Sequence, residues 1–312
     1  MSICVYADDA LQAYNFGRDH PFGPHRLPAF REAFEGRGLK RRACLRTAPM
    51  ATAEQIEWFH DPDYVAEVRA ASRSGSGYLD LGDTPAFPGV FEAAANVVGA
   101  TLDAVRAVME GECRRAFVAI GGLHHARRDR AAGFCVFNDC GVAIEALRRE
   151  HGIRRIAYVD IDAHHGDGVF YAFESDPELF IADIHEDGWF LYPGSGYAAE
   201  RGQGEAEGTK LNLPVAAGSA DPEFYQTWEK VEDFIEAARP EFILFQCGAD
   251  GLAGDPLTHL RYSPACHRHA AQRLRELAER HCNGRLVALG GGGYDAHNLA
   301  QAWCSVIEAL IE

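Results

Sequence analysis

The chain lacks the cysteine pairing and the long apolar runs that characterise several large classes of protein. Its nine cysteines include no C-x-x-C pair, and an odd number cannot all pair within one chain, which favours a reducing compartment. No run of about 18 apolar residues is present. Residues 1–9 contain no basic stretch followed by an apolar one. We therefore expect a cytoplasmic protein with no membrane partner.

Positive charge is also scarce. The sequence has 30 Lys and Arg residues against 46 Asp and Glu residues, a formal net charge of −16. This is the wrong sign for a surface that binds phosphate backbones, so we expect no nucleic-acid partner. The hydrophobic content of 47% over 312 residues is enough for a large core and excludes global disorder.

Short β-branched runs alternate with longer helical patterns along the chain. This alternation predicts an α/β protein, a three-layer sandwich in which helices cover both faces of a central, mostly parallel sheet. No linker or repeat divides the sequence, so residues 1–312 are predicted to form one domain. The predicted strands are 3–7, 116–120, 156–161, 179–184, 242–246 and 286–289. The predicted helices are 26–35, 64–72, 88–109, 138–151, 222–238, 264–281 and 297–311. Residues 9–25 and 185–208 are predicted to be long loops.

Four polar or glycine-rich clusters each follow a predicted strand directly. They are the segments 121–125, 160–168, 248–250 and 290–294. In an open parallel sheet the turns that follow the strands face one edge, where ligands bind. Residues that are distant in sequence are therefore expected to converge at that edge.

One of these convergent groups has the composition of a metal site. Asp162 and His164 lie two positions apart, so in an extended segment their side chains point the same way. With Asp250 they form a set of two carboxylates and one imidazole, which leaves a coordination position open for catalysis by Zn²⁺ or Fe²⁺. In the structural alternative, both aspartates cap the helices that follow them and His164 is a packed side chain.

A second group is suited to proton transfer. His124 and His125 lie at a glycine-rich strand exit, and imidazole titrates near neutral pH. Asp160 and Asp167 flank the metal cluster, and each can accept a ring N–H from a histidine. Tyr294 follows four glycines and can donate a hydrogen bond to a developing oxyanion. Alternatively, it packs beneath its loop.

Five motifs carry a resemblance to a known family. They are GGLHHARRDRAAGFCVFND at 121–139, YVDIDAHHGDG at 158–168, YPGSG at 192–196, GADGLAGDPL at 248–257 and GGGGY at 290–294. With these motifs in this order and HPFGPHR at 20–26, the chain resembles the histone deacetylase superfamily. This superfamily includes bacterial acetoin-utilisation proteins and acetylpolyamine amidohydrolases, and GGLHHA is nearest its class I branch. The resemblance implies an arginase/deacetylase-like fold and a single metal-dependent deacetylase catalytic domain over 1–312.

The resemblance also assigns roles to the polar residues. It implies that Zn²⁺, or alternatively Fe²⁺, is bound by Asp162, His164 and Asp250. It implies that His125 is the base, that His124 is its electrostatic partner, and that Asp167 and Asp160 support His125 and His124. Tyr294 and the metal would hold the tetrahedral oxyanion.

Substrate and K⁺ sites are implied in the same way. A narrow apolar tunnel would be formed by Gly133, Phe134, Tyr192 and Leu257. Asp83 would stand at its rim and bind substrate amide N–H groups. A structural K⁺ ion would lie beside the zinc loop at Asp160 and Asp183, where Asp183 replaces the serine that the family usually has.

The implied reaction is removal of an acetyl or other acyl group from an acylated amine. Acyl-lysine in protein is ranked first, and an acetylpolyamine or another small amide is the alternative. A non-catalytic binder of acylated ligands is a third interpretation. A binuclear Mn²⁺ hydrolase is disfavoured, because Gly166 and Leu252 occupy positions where a second metal needs aspartate. The oligomeric state is left open.

Overall fold

The computed structural model describes residues 3–47 and 49–312, which fold around one parallel sheet. Within these residues the sheet has eight strands in the order β2-β1-β3-β8-β7-β4-β5-β6, and every pairing is parallel. The strands are β1 Ile3–Tyr6, β2 Cys44–Arg46, β3 Arg115–Val118, β4 Ile156–Asp160, β5 Leu179–Glu186, β6 Lys210–Val215, β7 Phe242–Gln246 and β8 Leu286–Leu289.

Helices cover both faces of the sheet. They are α1 Asp9–Gln12, α2 Arg26–Gly36, α3 Ala53–Ile56, α4 Pro62–Ser74, α5 Val90–Met109, α6 Asp139–His151, α7 Asp167–Ala172, α8 Asp221–Ala238, α9 Pro264–His281 and α10 Ala296–Ile311. Helices α2, α8, α9 and α10 pack together on one face, and α4, α5 and α6 pack together on the other. The predicted three-layer α/β sandwich is therefore confirmed, and the sheet, expected to be mostly parallel, is parallel throughout the described chain.

The central strands are buried on both faces, which explains why they are apolar except at some of their ends, as at Arg115, Asp160 and Gln246. All residues of β3, β4, β7 and β8 are buried. Helices α9 and α10 begin at side-chain caps: Ser263 Oγ accepts the Ala265 N–H, and Asp295 Oδ1 accepts the Asn298 N–H. None of the described helices has the length and the apolar character that crossing a membrane requires.

The six predicted strands are confirmed to within two residues at each end, but five elements were not predicted. Strand β2 has three partly exposed residues at the sheet edge. Strand β6 contains Lys210, Asn212 and Pro214, and proline is tolerated there because β6 is the other edge strand. The short helices α1, α3 and α7 have six residues or fewer, too short to show a helical period. The prediction of loops was wrong at two places: residues 9–12 of the loop predicted over 9–25 form α1, and residues 185–186 of the loop predicted over 185–208 belong to β5.

Candidate active site

The register of the sheet brings the carboxyl ends of five strands into one row. Asp160 at the end of β4 lies opposite Asp183 of β5 on one side and Gln246 of β7 on the other. Gln246 in turn pairs with Leu289 of β8, which pairs with Val118 of β3. The loops that leave this row are the four clusters singled out in the sequence, and they meet at one edge of the sheet as expected.

Asp162, His164 and Asp250 come together just beyond this row. One ligand atom from each lies within 4.8 Å of the others, and all three residues are buried. His164 Nδ1 lies 3.1 Å from Asp162 Oδ1 and 3.0 Å from Asp250 Oδ2. The donor set of two carboxylate oxygens and one imidazole nitrogen suits Zn²⁺ or Fe²⁺, and three protein ligands leave a coordination position open.

The electrostatics of this cluster also fit a cation. Burial lowers the pKa of His164, but the Asp162 and Asp250 carboxylates outweigh burial and raise that pKa to about 10. The carboxylates therefore create a negative potential at His164 Nδ1 strong enough to hold a positive charge in a buried site. A divalent cation at this point would neutralise the same potential.

The orientation of the ligands is fixed by groups that the sequence did not reveal. Gln246 Nε2 and the Gly292 N–H both donate to Asp162 Oδ2, at 2.9 and 2.8 Å. The Ala163 N–H donates to Asp250 Oδ1 at 2.8 Å. A Cβ at Gly292 would collide with the Asp250 carboxylate, so glycine is required for this close approach. The available signal for Gln246 was a polar residue ending an otherwise apolar strand.

The two histidines form a paired acid/base group. His124 Nδ1 lies 2.8 Å from Asp160 Oδ2, and His125 Nδ1 lies 2.8 Å from Asp167 Oδ1. Their Nε2 atoms are 3.1 Å apart. Each carboxylate accepts the Nδ1–H of its histidine, which leaves Nε2 as the atom that faces its partner. Each histidine thus contacts the aspartate that the family resemblance paired with it.

The two imidazoles differ in basicity because of their surroundings. Burial lowers the pKa of His124, but the Asp160 and Asp162 carboxylates outweigh it and raise that pKa to about 10. Burial and the adjacent positive charge of His124 lower the pKa of His125 to about 4, although Asp167 opposes the shift. The carboxylates around His124 therefore favour its charged form, whereas burial and the neighbouring His124 favour the neutral form of His125.

The strand exit that carries the histidines is held by residues 138 and 139. The Asp139 carboxylate accepts the Gly122 and Leu123 N–H groups, and Asn138 Nδ2 donates to the His124 and Ala126 carbonyls. Both residues occur in the FND sequence at 137–139, but no role was predicted for either from that motif. Their contacts span more than ten residues and depend on the packing of α6.

A tunnel of about 210 Å³ leads from the surface to this site. It is lined by Asp83, His125, Gly133, Phe134, His164, Leu191, Tyr192, Leu257 and Tyr294. All five residues predicted to bind substrate are thus brought together, along with Leu191, which was not predicted. The Tyr192 ring packs edge-on against His125, with 5.1 Å between ring centroids.

Phe134 adopts an unusual backbone conformation at the tunnel wall. Its φ is 68°, in the left-handed region that non-glycine residues rarely occupy. The Tyr14 hydroxyl donates to the Phe134 carbonyl at 2.7 Å, and the Phe134 N–H donates to Thr84 Oγ1 at 3.1 Å. The His20 ring lies edge-on to the Phe134 ring at 4.6 Å. These contacts fix the aromatic wall of the tunnel.

Beside His124 and His125 the free space is small. A cavity of about 10 Å³ is bounded by Leu123, Cys135 and the glycine loop that contains Gly291. Arg26 is buried beside it, and its guanidinium donates to the Gly293 and Gly291 carbonyls at 2.9 and 2.6 Å. Arg26 ends the HPFGPHR motif at 20–26, and this contact was not predicted from the motif.

Asp160 and Asp183 are already engaged within the protein. Burial raises the pKa of Asp160 to about 6, an effect that His124 opposes and Asp183 reinforces. Asp183 lies 2.7 Å from His185 Nδ1 and accepts the Gly166 N–H at 2.9 Å. The two carboxylates proposed for K⁺ therefore neighbour each other, but His185, for which no role was predicted, balances part of their charge.

Taken together, the parallel sheet and the buried donor set at its carboxyl edge define an α/β protein with a candidate metal-dependent site. The chain belongs to the family described by the histone deacetylase domain, whose model matches residues 20–310. The resemblance seen in the sequence is thus confirmed.

Comparisons with individual proteins agree with this assignment. The chain is 35% identical over 314 residues to the acetoin utilization protein AcuC of Bacillus subtilis (strain 168), covering 98% of this chain and 81% of that protein. It is 32% identical over 316 residues to AcuC of Staphylococcus xylosus, covering 98% of this chain and 82% of that protein. The solved structure described as the HDA15 HD domain matches with a TM-score of 0.92 and 27% identity, covering 99% of this chain and 88% of that one.

Proposed function

We propose that this chain is a zinc-dependent amidohydrolase that removes an acetyl group from an acylated amine, with acyl-lysine in protein as the substrate. The observation that carries the proposal is the meeting of three elements at the floor of one tunnel. These are the Asp162–His164–Asp250 cluster, the two His–Asp pairs and Tyr294. We further propose that residues 1–312 act as one catalytic domain.

Asp162, His164 and Asp250 would hold the metal, with Zn²⁺ favoured and Fe²⁺ as the alternative. When bound, the ion would polarise the substrate carbonyl and lower the pKa of water. The donor set contains no thiolate, so its chemistry does not separate the two metals.

His125 is the proton carrier in this proposal. It is neutral because burial and the charge on His124 lower its pKa to about 4, so its Nε2 can accept a proton from the attacking water. The same nitrogen then donates that proton to the departing amine nitrogen as the C–N bond breaks. Asp167 holds the Nδ1–H throughout and stabilises the imidazolium that forms.

Tyr294 provides a hydrogen bond to the carbonyl oxygen as negative charge develops on it. Burial and the Asp250 carboxylate raise its pKa well above its usual range, so the phenol remains protonated and can donate. Its ring is held edge-on against Phe134 at 5.7 Å, and its backbone N–H donates to Asp255 Oδ2 at 2.9 Å. The hydroxyl is thus presented from a fixed ring.

We also propose that K⁺ binds beside Asp160 and Asp183. Two neighbouring buried carboxylates repel each other, and a monovalent cation between them would relieve the repulsion that His185 only partly balances. If so, turnover should rise with KCl when choline chloride keeps the ionic strength constant, and Asp183→Asn should weaken that response. A rate independent of K⁺ would remove this site.

The experiment that tests the main proposal is a turnover panel on the purified protein. Acetyl-lysine peptides, N-acetylputrescine and N-acetylspermidine are compared before and after chelation, and after Zn²⁺ or Fe²⁺ is restored. We expect chelation to abolish hydrolysis of the acetyl-lysine peptide and the metal to restore it. Turnover that is insensitive to chelation would contradict the metal mechanism. Zinc binding without turnover of any of the three substrates would favour the non-catalytic binder.

A further inference from the structure

Exposed hydrophobic side chains are concentrated in two segments that also contribute residues to the tunnel or to the pocket outside it. Eight large hydrophobic residues are exposed in the part of the chain that the structure describes, and six of them lie in just two segments, 78–81 and 189–197. These six are Tyr78, Leu81, Trp189, Phe190, Tyr192 and Tyr197. Single exposed apolar residues are normal on protein surfaces, but such a concentration marks a binding surface. We call these six residues the apolar collar.

Part of the apolar collar encloses a second pocket, outside the tunnel. This outer pocket has a volume of about 580 Å³, within the range of about 300–1,000 Å³ typical of ligand sites. Asp83, Gly133 and Tyr192 line both the outer pocket and the tunnel. The two spaces are therefore adjacent, and groups attached to a substrate in the tunnel would lie in or beside the outer pocket.

One wall of the outer pocket is rigidly preformed. The Asp80 carboxylate accepts the N–H groups of Gly82, Asp83 and Thr84 at 2.9, 2.8 and 2.8 Å, and the Thr84 hydroxyl at 2.6 Å. These bonds close the turn that carries Leu81, which is fully exposed at its tip. A turn held in this way lowers the entropy cost of ordering the backbone that carries the apolar side chain when a ligand binds.

The polar groups of the outer pocket are largely occupied by protein partners. The Asp80 carboxylate is taken up by its own turn, and Arg127 Nη2 is paired with Asp167 Oδ2 at 2.9 Å. The remaining wall includes Tyr78, Leu81 and Pro193. The surface left for a ligand therefore includes an apolar wall, with the Glu67 and Asp83 carboxylates beside it and Arg130 paired with Asp129 at 3.3 Å.

We propose that the outer pocket binds a bulky apolar side chain of a polypeptide substrate, next to the acyl-lysine that enters the tunnel. The inference rests on the proposed deacylase function and specifies its substrate. A peptide can fill both spaces at once, because its backbone joins the two side chains. An acetylpolyamine has no apolar branch for the outer pocket. Among the described residues that line the tunnel, Asp83 alone carries a carboxylate to receive polyamine ammonium groups.

The test uses the full-length, metal-loaded protein and three acetyl-lysine substrates. One peptide has leucine or tryptophan next to the acetyl-lysine, a second has glycine there, and the third substrate is N-acetyl-lysine amide. The quantity measured is the ratio of kcat/KM for the apolar-flanked peptide to kcat/KM for the glycine peptide. We expect a ratio of about ten in the wild type, which corresponds to partial burial of one apolar side chain.

Two variants with the same change in chemistry separate the pocket from general surface effects. Leu81→Ser removes the apolar tip of the wall, and we expect the ratio to fall toward one. Leu45→Ser makes the same substitution at an exposed leucine on edge strand β2, which does not line the pocket. We expect Leu45→Ser to leave the ratio and the turnover of all three substrates unchanged.

The outcomes distinguish this inference from the proposed function. A wild-type ratio near one with good turnover of N-acetyl-lysine amide would overturn the inference and leave the deacylase function in place. An equal fall of the ratio in Leu45→Ser and Leu81→Ser would also overturn it. Failure to hydrolyse any acetyl-lysine substrate would instead overturn the proposed function itself.

Discussion

Replacing Tyr294 with phenylalanine is the most direct test of the proposed oxyanion stabilisation. Across the described residues, Tyr294 is hydrogen-bonded through its backbone N–H and not through its hydroxyl. Removing the oxygen therefore breaks no internal hydrogen bond, and we expect the free energy of unfolding to change by less than about 0.5 kcal/mol. Loss of one oxyanion donor costs about 3 kcal/mol in the transition state. That corresponds to a fall in kcat of about 150-fold.

The assay measures kcat and KM for an acetyl-lysine peptide alongside urea unfolding. Tyr64→Phe is the matched control, because the Tyr64 hydroxyl donates to the buried Val136 carbonyl at 2.6 Å, away from the reaction. We expect Tyr64→Phe to lose about 1–2 kcal/mol of stability with little change in kcat. An unchanged kcat in Tyr294→Phe would refute the role of the hydroxyl. A loss of stability as large as that of Tyr64→Phe would mean that the hydroxyl supports the fold.

Three further outcomes follow from the structure. Asp250→Ala removes one of the three proposed metal ligands, so we expect bound zinc to fall from one ion per chain to near zero, as measured by elemental analysis. Retention of one zinc ion per chain would place the metal elsewhere. Because the cavity beside the histidines holds only about 10 Å³, we expect acetyl-lysine to be hydrolysed faster than butyryl-lysine. Leu123→Ala should reduce the ratio of the two rates, and an unchanged ratio would exclude Leu123 as the cause of the preference. Burial lowers the pKa of His60 from its ordinary 6.5 to about 3, so its contribution to stability is present above pH 6.5 and lost as the pH falls toward 3. Over this range the free energy of unfolding should fall by about 1.4 kcal/mol per pH unit because of His60. In His60→Gln the urea midpoint should therefore fall less steeply between pH 6 and 4. An equally steep fall would show that other groups cause it.

The difference in basicity between the two active-site histidines is a property of their burial and partners. Both side chains are buried and each has one aspartate, yet His124 also lies near Asp162 and Asp183, whereas His125 faces His124 and His164. Carboxylates stabilise a charged imidazole and imidazolium ions oppose one, so the second histidine remains neutral. In the proposed function, this difference would allow adjacent residues of the same type to take different parts in proton transfer.

The sequence alone was sufficient to predict elements and site residues that have a recognisable local pattern of hydrophobic or polar side chains. The central strands are buried on both faces, so they appear as continuous apolar runs, and six of them were located without any structure. Asp162 and His164 could be paired because side chains two apart in an extended segment share a face. Asp250 joined them because the ends of parallel strands meet at one edge. The family resemblance added the tunnel residues, which have no local pattern of their own.

Only the tertiary structure decided which groups hold these residues in place. Gln246 reaches Asp162 across 84 positions, and Arg26 reaches the glycine loop across more than 260. Such contacts depend on the order of the strands, which hydrophobic period does not encode. The edge strands β2 and β6 were not predicted because they are partly polar. The exposure of Leu81 could not be predicted either, because it depends on the turn that the Asp80 carboxylate closes. The sequence by itself therefore determined the donor set and the chemistry it allows, whereas long-range packing decided how that set is oriented and what surrounds the tunnel mouth.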